Sequence, residues 1–267
     1  MADPKGDEIR KAVRENYGEV ARAAGTGCCS TPSCCGGARV VSMEDMASGL
    51  GYSRDDISAA PEGSFMGLGC GNPIEAAAIQ PGETVLDLGS GGGFDCFLAA
   101  RITGDAGLVI GVDMTPEMVA RSRENARKAG VRNVEFRLGE LENLPVADGV
   151  VDVIVSNCVI NLSPDKERVF RETFRVLKPG GRIAISDIVS TAALPEEVRR
   201  DLAMHVACIA GATPVGELES MLAGAGFVDV RVTVKEESRT FIKEWVPGSR
   251  VEECVVSAII QAVKPRG

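Results

Sequence analysis

Nine cysteines against a single histidine set the chemistry this chain can do. A mechanism built on an imidazole base would rest on His205 alone. Thiols are plentiful, and their spacing is uneven. Cys28, Cys29, Cys34 and Cys35 form two vicinal pairs inside the segment GTGCCSTPSCCGG, residues 25–37. An odd cysteine count with vicinal pairs does not read as a disulfide framework. The pattern C-C-x4-C-C also departs from the paired C-x2-C spacing of a structural zinc ribbon. Vicinal thiols beside glycines in a loop point instead to soft-element binding or redox chemistry. Cys70 lies in GLGCGNP, Cys158 in VSNCVINLSPDK and Cys208 in HVACIAGA. Cys96 and Cys254 read as core residues, the usual fate of an isolated cysteine.

A second chemical signal is the run VLDLGSGGGFD, residues 85–95. It places Gly89, Gly91 and Gly93 between a strand and a helix, where missing side chains let the backbone approach a ligand. A dinucleotide fingerprint would need glycine at position 94, where Phe94 stands. Asp87, two residues before the loop, would repel a pyrophosphate and favour an ammonium. S-adenosylmethionine offers an amino-acid end and no phosphate. Asp113 ends the following strand, where an acid can take both ribose hydroxyls. Glu140 follows the third strand and could meet the adenine amino group, and Met114 suits packing on the ring.

These groups must be held by a scaffold. Residues 7–24 carry apolar positions at helical spacing, residues 42–50 read as a short helix, and residues 51–73 are rich in glycine and proline. A helix starts at Pro73 and runs to 79. From Thr84 onward strands alternate with helices. The strands are 84–88, 108–113, 134–138, 150–157, 182–189 and 227–234, with a last one over 253–265. Helices fall at 94–102, 116–129, 163–177 (Ser163 as N-cap), 195–210 and 214–225. That alternation predicts an α/β fold with a doubly wound, mostly parallel sheet, Rossmann-like, preceded by an N-terminal Cys-rich helical and loop segment. Ligands bind outside the carboxyl ends of such strands, so the loops after 88, 113, 138, 157 and 187 should line one site. The expected division is a lid segment at 1–80 and a catalytic domain at 81–267.

Composition removes other classes. The 29 basic and 38 acidic residues give a net charge of −9, which argues against a nucleic-acid partner. No stretch reaches the length of a membrane helix, and the charged first residues lack the apolar core of a secretory signal. A cytoplasmic, monomeric protein is the expectation. Lys166, Glu167 and Arg168 read as a solvated helix face. His205 reads as a hydrogen-bonded polar residue, and Phe94, Phe97 and Trp245 read as packing.

The chain resembles the arsenite methyltransferases from about Tyr17 to about Gly226. The resemblance is carried by GCGNP, LDLGSGGGFDCFLA, GVDMTPEM, GELENLPV, SNCVINLSPDK, VLKPGG, SDIV, LPEEVR and CIAGA. It implies a class I methyltransferase fold and S-adenosylmethionine as donor. It also implies trivalent arsenic held by Cys70, Cys158 and Cys208, with a further N-terminal thiol matching Cys28 or Cys29. Cys34 and Cys35 repeat that pair. Where the family often carries an aromatic pair before GCG, this chain has Gly67 and Leu68. The expected cofactor contacts are Asp87, Gly89, Ser90 and Gly91, then Asp113 and Met114, then Glu140, Leu141 and Asn157. The resemblance further implies that thiols reduce the methylated arsenic and that an external reductant, glutathione or thioredoxin, reopens the disulfide. Two other readings compete. One is methylation of a small carbon or oxygen acceptor, which leaves the three distant thiols without a joint purpose. The other is a non-catalytic thiol-based metalloid-binding protein.

Overall fold

The computed structural model describes residues 4–23, 42–246 and 248–267. Cys28, Cys29, Cys34 and Cys35 lie outside them. Helix α1 (Pro4–Ala23) precedes three short helices, α2 (Met43–Gly49), α3 (Arg54–Ala59) and α4 (Pro73–Ala77). The alternating part follows: β1 (Thr84–Leu88), α5 (Phe94–Thr103), β2 (Leu108–Asp113), α6 (Pro116–Ala129), β3 (Val134–Leu138), β4 (Val151–Asn157), α7 (Lys166–Val176) and β5 (Leu177–Ser190). Then come α8 (Glu196–Arg200), α9 (Leu202–Val206), β6 (Thr213–Pro214), α10 (Val215–Gly224), β7 (Val228–Lys235), α11 (Arg239–Trp245) and β8 (Val255–Val263). No helix among the described residues is long and apolar enough to cross a membrane.

The sheet order is β3-β2-β1-β4-β5-β8-β7, with β6 paired to β5. The first five strands are parallel. β8 runs antiparallel between β5 and β7. Strand residues alternate between two cores. Leu86, Leu88, Ile154, Ile183 and Ile185 join Phe170 and Leu222 on one face. Val85, Val153, Val155 and Ala184 join Phe97, Leu98 and Val119 on the other. Burial on both faces explains why these strands read as continuous apolar runs, each such side chain contributing ~1.5–3 kcal/mol. Leu88 stands level with Val112 and Ser156. Gly89, Asp113 and Asn157 therefore leave the sheet side by side.

Several local expectations change. The helix expected over 195–210 breaks at Asp201, whose backbone is extended (φ −81°, ψ 116°) and whose carboxylate caps the N–H groups of Ala203 and Met204. Aspartate competes with the helix for its own backbone and prefers this cap position. Cys208 thus sits in the turn after α9, not within a helix. Helix α7 is capped by Asp165, which accepts from the Arg168 N–H, while Ser163 accepts from the Asp165 N–H. β5 begins at Leu177 through a register shift beside Val151 and Val153. The 51–73 segment contains α3, opened by a Ser53–Asp56 capping box.

Candidate functional site: a crevice ending in three thiols

A crevice of about 500 Å³ opens at the carboxyl ends of β1, β2 and β4. Its floor is the glycine loop. Gly89 (φ +72°) lies so close to Val159 that a Cβ would come within 2.4 Å of a Val159 methyl. The Asp113 carboxylate braces the loop, accepting from the Gly91 N–H (2.9 Å) and the Thr115 N–H (2.8 Å). Ser90, Met114 and Leu141 also line the crevice. The buried Ser90 hydroxyl has no hydrogen-bond partner among the described residues.

Asp87 and Asp95 form the acidic end. Both are buried, and both line the crevice. Burial and the neighbouring Asp95 push the Asp87 carboxyl well above its usual range, against a hydrogen bond donated by the Cys96 thiol (3.2 Å). Burial lifts Asp95 to about 6, although hydrogen bonds from the Tyr52 hydroxyl (2.6 Å) and Asn157 hold it down. Neither carboxylate has an ion-pair partner among the described residues. Two buried acids without a cation fit a cationic ligand, and the ammonium of S-adenosylmethionine is one. Asp95 was not singled out in the sequence, although the FD dipeptide that opens α5 marks a first-turn acid. The aromatic wall comes from Tyr52, Phe65 and Phe94, with Phe65–Phe94 centroids 4.9 Å apart and Tyr52–Phe94 5.0 Å apart. Phe94 and Trp245 line the crevice rather than only packing the core, and Phe97 packs on Phe136.

Glu140 does not line the crevice. It is drawn outward by α1, facing Arg14 (3.2 Å) and Arg10 (3.8 Å). The inward acid is Glu142, buried and lining the crevice, which accepts from the Ser163 hydroxyl (2.6 Å) and Arg10 (3.2 Å). Helix α1 lies along the crevice through Arg10, Val13 and Tyr17.

The thiols gather at one end. Asn157 ties the two ends together: its Oδ1 accepts from the Cys70 N–H (3.0 Å), and its Nδ2 donates to the Gly71 carbonyl (2.8 Å) and the Tyr52 hydroxyl (2.9 Å). The neighbouring thiols of Cys208 and Cys70, together with burial, push the Cys158 thiol well above the usual thiol range. Cys208 Sγ also donates to the Cys158 carbonyl (2.8 Å). For Cys208 the neighbouring Cys158 thiol acts downward, and burial with the nearby Asp187 outweighs it, so this thiol too is raised. Cys158 and Cys208 line the crevice, and Cys70 is buried directly behind them.

Sulfurs of Cys70 and Cys158 and a carboxylate oxygen of Asp187 lie within 4.8 Å of one another, close enough to share one bound atom. Asp187 was not picked out in the sequence, although it lies in SDIV near the carboxyl end of β5. Burial raises it to about 6, while the Ile188 N–H and the Lys166 ammonium favour its charged form. The Tyr17 hydroxyl, beside this cluster, donates to the Val206 carbonyl (3.3 Å).

Both Cys158 (φ +59°) and Cys208 (φ +62°) hold left-handed backbone. Cys208 does so at the position after α9 where glycine usually stands. Its N–H bonds the His205 carbonyl (2.9 Å), and the Ile209 N–H bonds the Met204 carbonyl (2.9 Å). That pair is the Schellman closure of a helix. His205 itself bonds the Leu162 carbonyl (3.3 Å) and stays outside the thiol cluster. Lys166 is not solvated. It is half-buried, with its ammonium among the oxygens of Asn161 (2.8 Å), Thr213 (2.6 Å) and Gly211, and burial brings its amine down to about 8.

A family model described as "Methyltransferase domain" matches residues 79–226. An arsenite methyltransferase of Halobacterium salinarum is 51% identical over 99% of this chain, which spans 69% of that relative. One from Aquipseudomonas alcaligenes is 39% identical over 84% of this chain, corresponding to 63% of its own length. The crystal structure of an arsenic(III) S-adenosylmethionine methyltransferase from Chlamydomonas reinhardtii superposes with a TM-score of 0.62 at 33% identity, covering 82% of this chain and 72% of that one.

Proposed function

Because the chain belongs to the arsenite methyltransferase family, we propose that it transfers a methyl group from S-adenosylmethionine to trivalent arsenic bound by Cys70, Cys158 and Cys208. The observation that carries this reading is that Cys70 and Cys158, far apart in sequence, bring their sulfurs within 4.8 Å of each other, with the Cys208 thiol on the Cys158 carbonyl beside them, near a crevice whose other end holds two acids without an ion-pair partner among the described residues.

Trivalent arsenic is soft and prefers sulfur to oxygen. Each thiol forms an As–S bond as an As–O bond breaks, and its proton leaves with the hydroxyl as water. S-adenosylmethionine, when bound, supplies an electrophilic methyl on a sulfonium. Asp87 and Asp95 would hold its ammonium, the glycine loop would admit it closely, and Asp113 and Met114 would meet its ribose and adenine. The thiols keep arsenic at one fixed place with its lone pair free. Holding the reacting atoms about 3–3.5 Å apart and in line is the main contribution such a site makes. The arsenic lone pair is the nucleophile and carries no proton, so no general base is required, in keeping with a lone histidine placed outside the cluster.

Methyl transfer takes arsenic formally from +3 to +5. Two thiolates return two electrons, restore +3 and close a disulfide, which an external thiol reductant, glutathione or thioredoxin, reopens. Cys28, Cys29, Cys34 and Cys35 serve delivery or reduction in this proposal. The first 80 residues act as a lid, and the protein works as a monomer in the cytoplasm, since one chain supplies both ends of the crevice.

The test is incubation of the purified protein with methyl-labelled S-adenosylmethionine, arsenite and glutathione. Labelled methylarsenicals that disappear in Cys158→Ser support the reading. Arsenite binding without turnover favours a sequestering protein, and label transferred to a carbon or oxygen acceptor alone favours the other methyltransferase class.

A further inference from the structure

Lys166 has no part in the chemistry above, yet its ammonium is engaged by three oxygens, those of Asn161, Thr213 and the Gly211 carbonyl. That uses all three of its donors. Asn161 extends the tie from the other side. Its Nδ2 donates to Asp187 Oδ1 (2.9 Å), the Ile188 carbonyl (2.6 Å) and, at 3.3 Å, the carbonyl of Cys208. Two side chains thereby join the turn after β4, the end of β5 and the 208–213 turn. The backbones they join are already packed tightly: a Cβ on Gly211 would fall 2.1 Å from the Asn161 carbonyl oxygen.

Cys208 needs such a clamp. Its left-handed backbone is unfavourable for any residue with a Cβ, and it persists only where surrounding contacts over-determine it. That conformation is what turns its sulfur onto the Cys158 carbonyl. We propose that Lys166 is a positioning residue for the substrate: it locks the 208–213 turn against Asn161 so that the Cys208 thiol faces Cys158 and completes the arsenic ligand set. The inference rests on the arsenite reading given above. Lys166 touches neither arsenic nor cofactor. It acts through the backbone of Cys208 and the side chain of Asn161.

A merely structural role would lower stability and weaken every ligand alike, whereas a positioning role is selective. For Lys166→Met, sodium arsenite affinity falls about 10–100-fold, the usual scale for removing a group that orients a ligand. Arsenic–sulfur coordination by X-ray absorption drops from about three to about two. S-adenosylmethionine affinity, titrated on the same preparation, stays within about twofold. Thr213→Val keeps the lysine, removes one acceptor, and shifts arsenite affinity the same way by a smaller factor, which preserves the test if Lys166→Met does not fold. Unchanged arsenite affinity and coordination in these variants overturn the inference and leave the arsenite reading intact, as does a parallel loss of both ligands with melting temperature. A wild-type protein that takes up no arsenite overturns both.

Discussion

Replacing Cys158 and Cys208 by alanine and, separately, by glycine tests whether the thiols are aimed by backbone strain. Both residues lie in the left-handed region, at φ +59° and +62°. A Cβ there costs ~1–2 kcal/mol. Alanine keeps that cost and glycine removes it, while both delete the sulfur. Glycine also gives the unfolded chain extra freedom, worth ~0.5–1 kcal/mol against folding. At mid-range the balance leaves each glycine variant about 0.75 kcal/mol more stable than its alanine partner. At an ordinary interior position the order is the reverse, so the sign is diagnostic. A chain of this length shifts its melting temperature by ~2–4 °C per kcal/mol, which places the expected gap at about 1.5–3 °C. Urea unfolding followed by circular dichroism gives the free energies, provided the slopes of the two variants agree. Arsenite titration should show both variants of each pair equally impaired, separating the lost thiol from the relieved backbone. Alanine variants as stable as the glycine ones, at both positions, would refute the claim that strain is stored in these turns.

Two further outcomes follow from the cofactor end. Asp95 titrates at about 6 in the folded protein, above an unfolded value of ~3.9. The cofactor-free protein therefore binds more protons than the unfolded chain between about pH 4 and 6, and its stability falls by ~3 kcal/mol as pH rises through that window. A cationic ligand needs the charged carboxylate, so S-adenosylmethionine affinity should rise from pH 5 to 7, with Asp87 acting in the same direction. Calorimetric titration of wild type and Asp95→Asn checks this; the variant should bind at least about tenfold more weakly at pH 8 with a flatter profile, and a wild-type profile already flat would be the contrary result. Gly89→Ala should cost ~2 kcal/mol or more, since it adds left-handed strain to a 2.4 Å overlap with Val159. Adding Val159→Ala should recover the overlap part alone, and a Gly89→Ala protein as stable as wild type would contradict the close approach.

Much of the architecture is written in local patterns. The apolar runs of β1 and β4, Val85, Leu86 and Leu88 with Val153, Ile154 and Val155, announced a sheet covered on both sides. The glycines after Leu88 and the acids at 87 and 113 announced the crevice, because strand-end position fixes which edge a residue leaves from. Even α3, passed over in a glycine-rich stretch, had its Ser53–Asp56 capping box in plain sight. Such features depend on neighbours a few residues away, and sequence spacing specifies those neighbours.

What only the tertiary structure decided is which long-range partner each polar group meets. Glu140 and Glu142 are two residues apart and both meet Arg10 of α1, yet Glu140 stays at the surface with Arg14 while Glu142 is buried in the crevice, an arrangement that depends on residues more than a hundred positions earlier. Lys166 lies among charged neighbours and reads as solvated, yet a turn 45 residues downstream takes its ammonium. Asp95 and Asp187 look like ordinary acids until the folded sheet buries them. The resemblance to the arsenite methyltransferases named Cys70, Cys158 and Cys208 as candidates. The approach of Cys70 to Cys158, and the left-handed turns at Cys158 and Cys208, arise because parallel strands deliver their carboxyl ends to one edge, where loops distant in the chain must pack on each other.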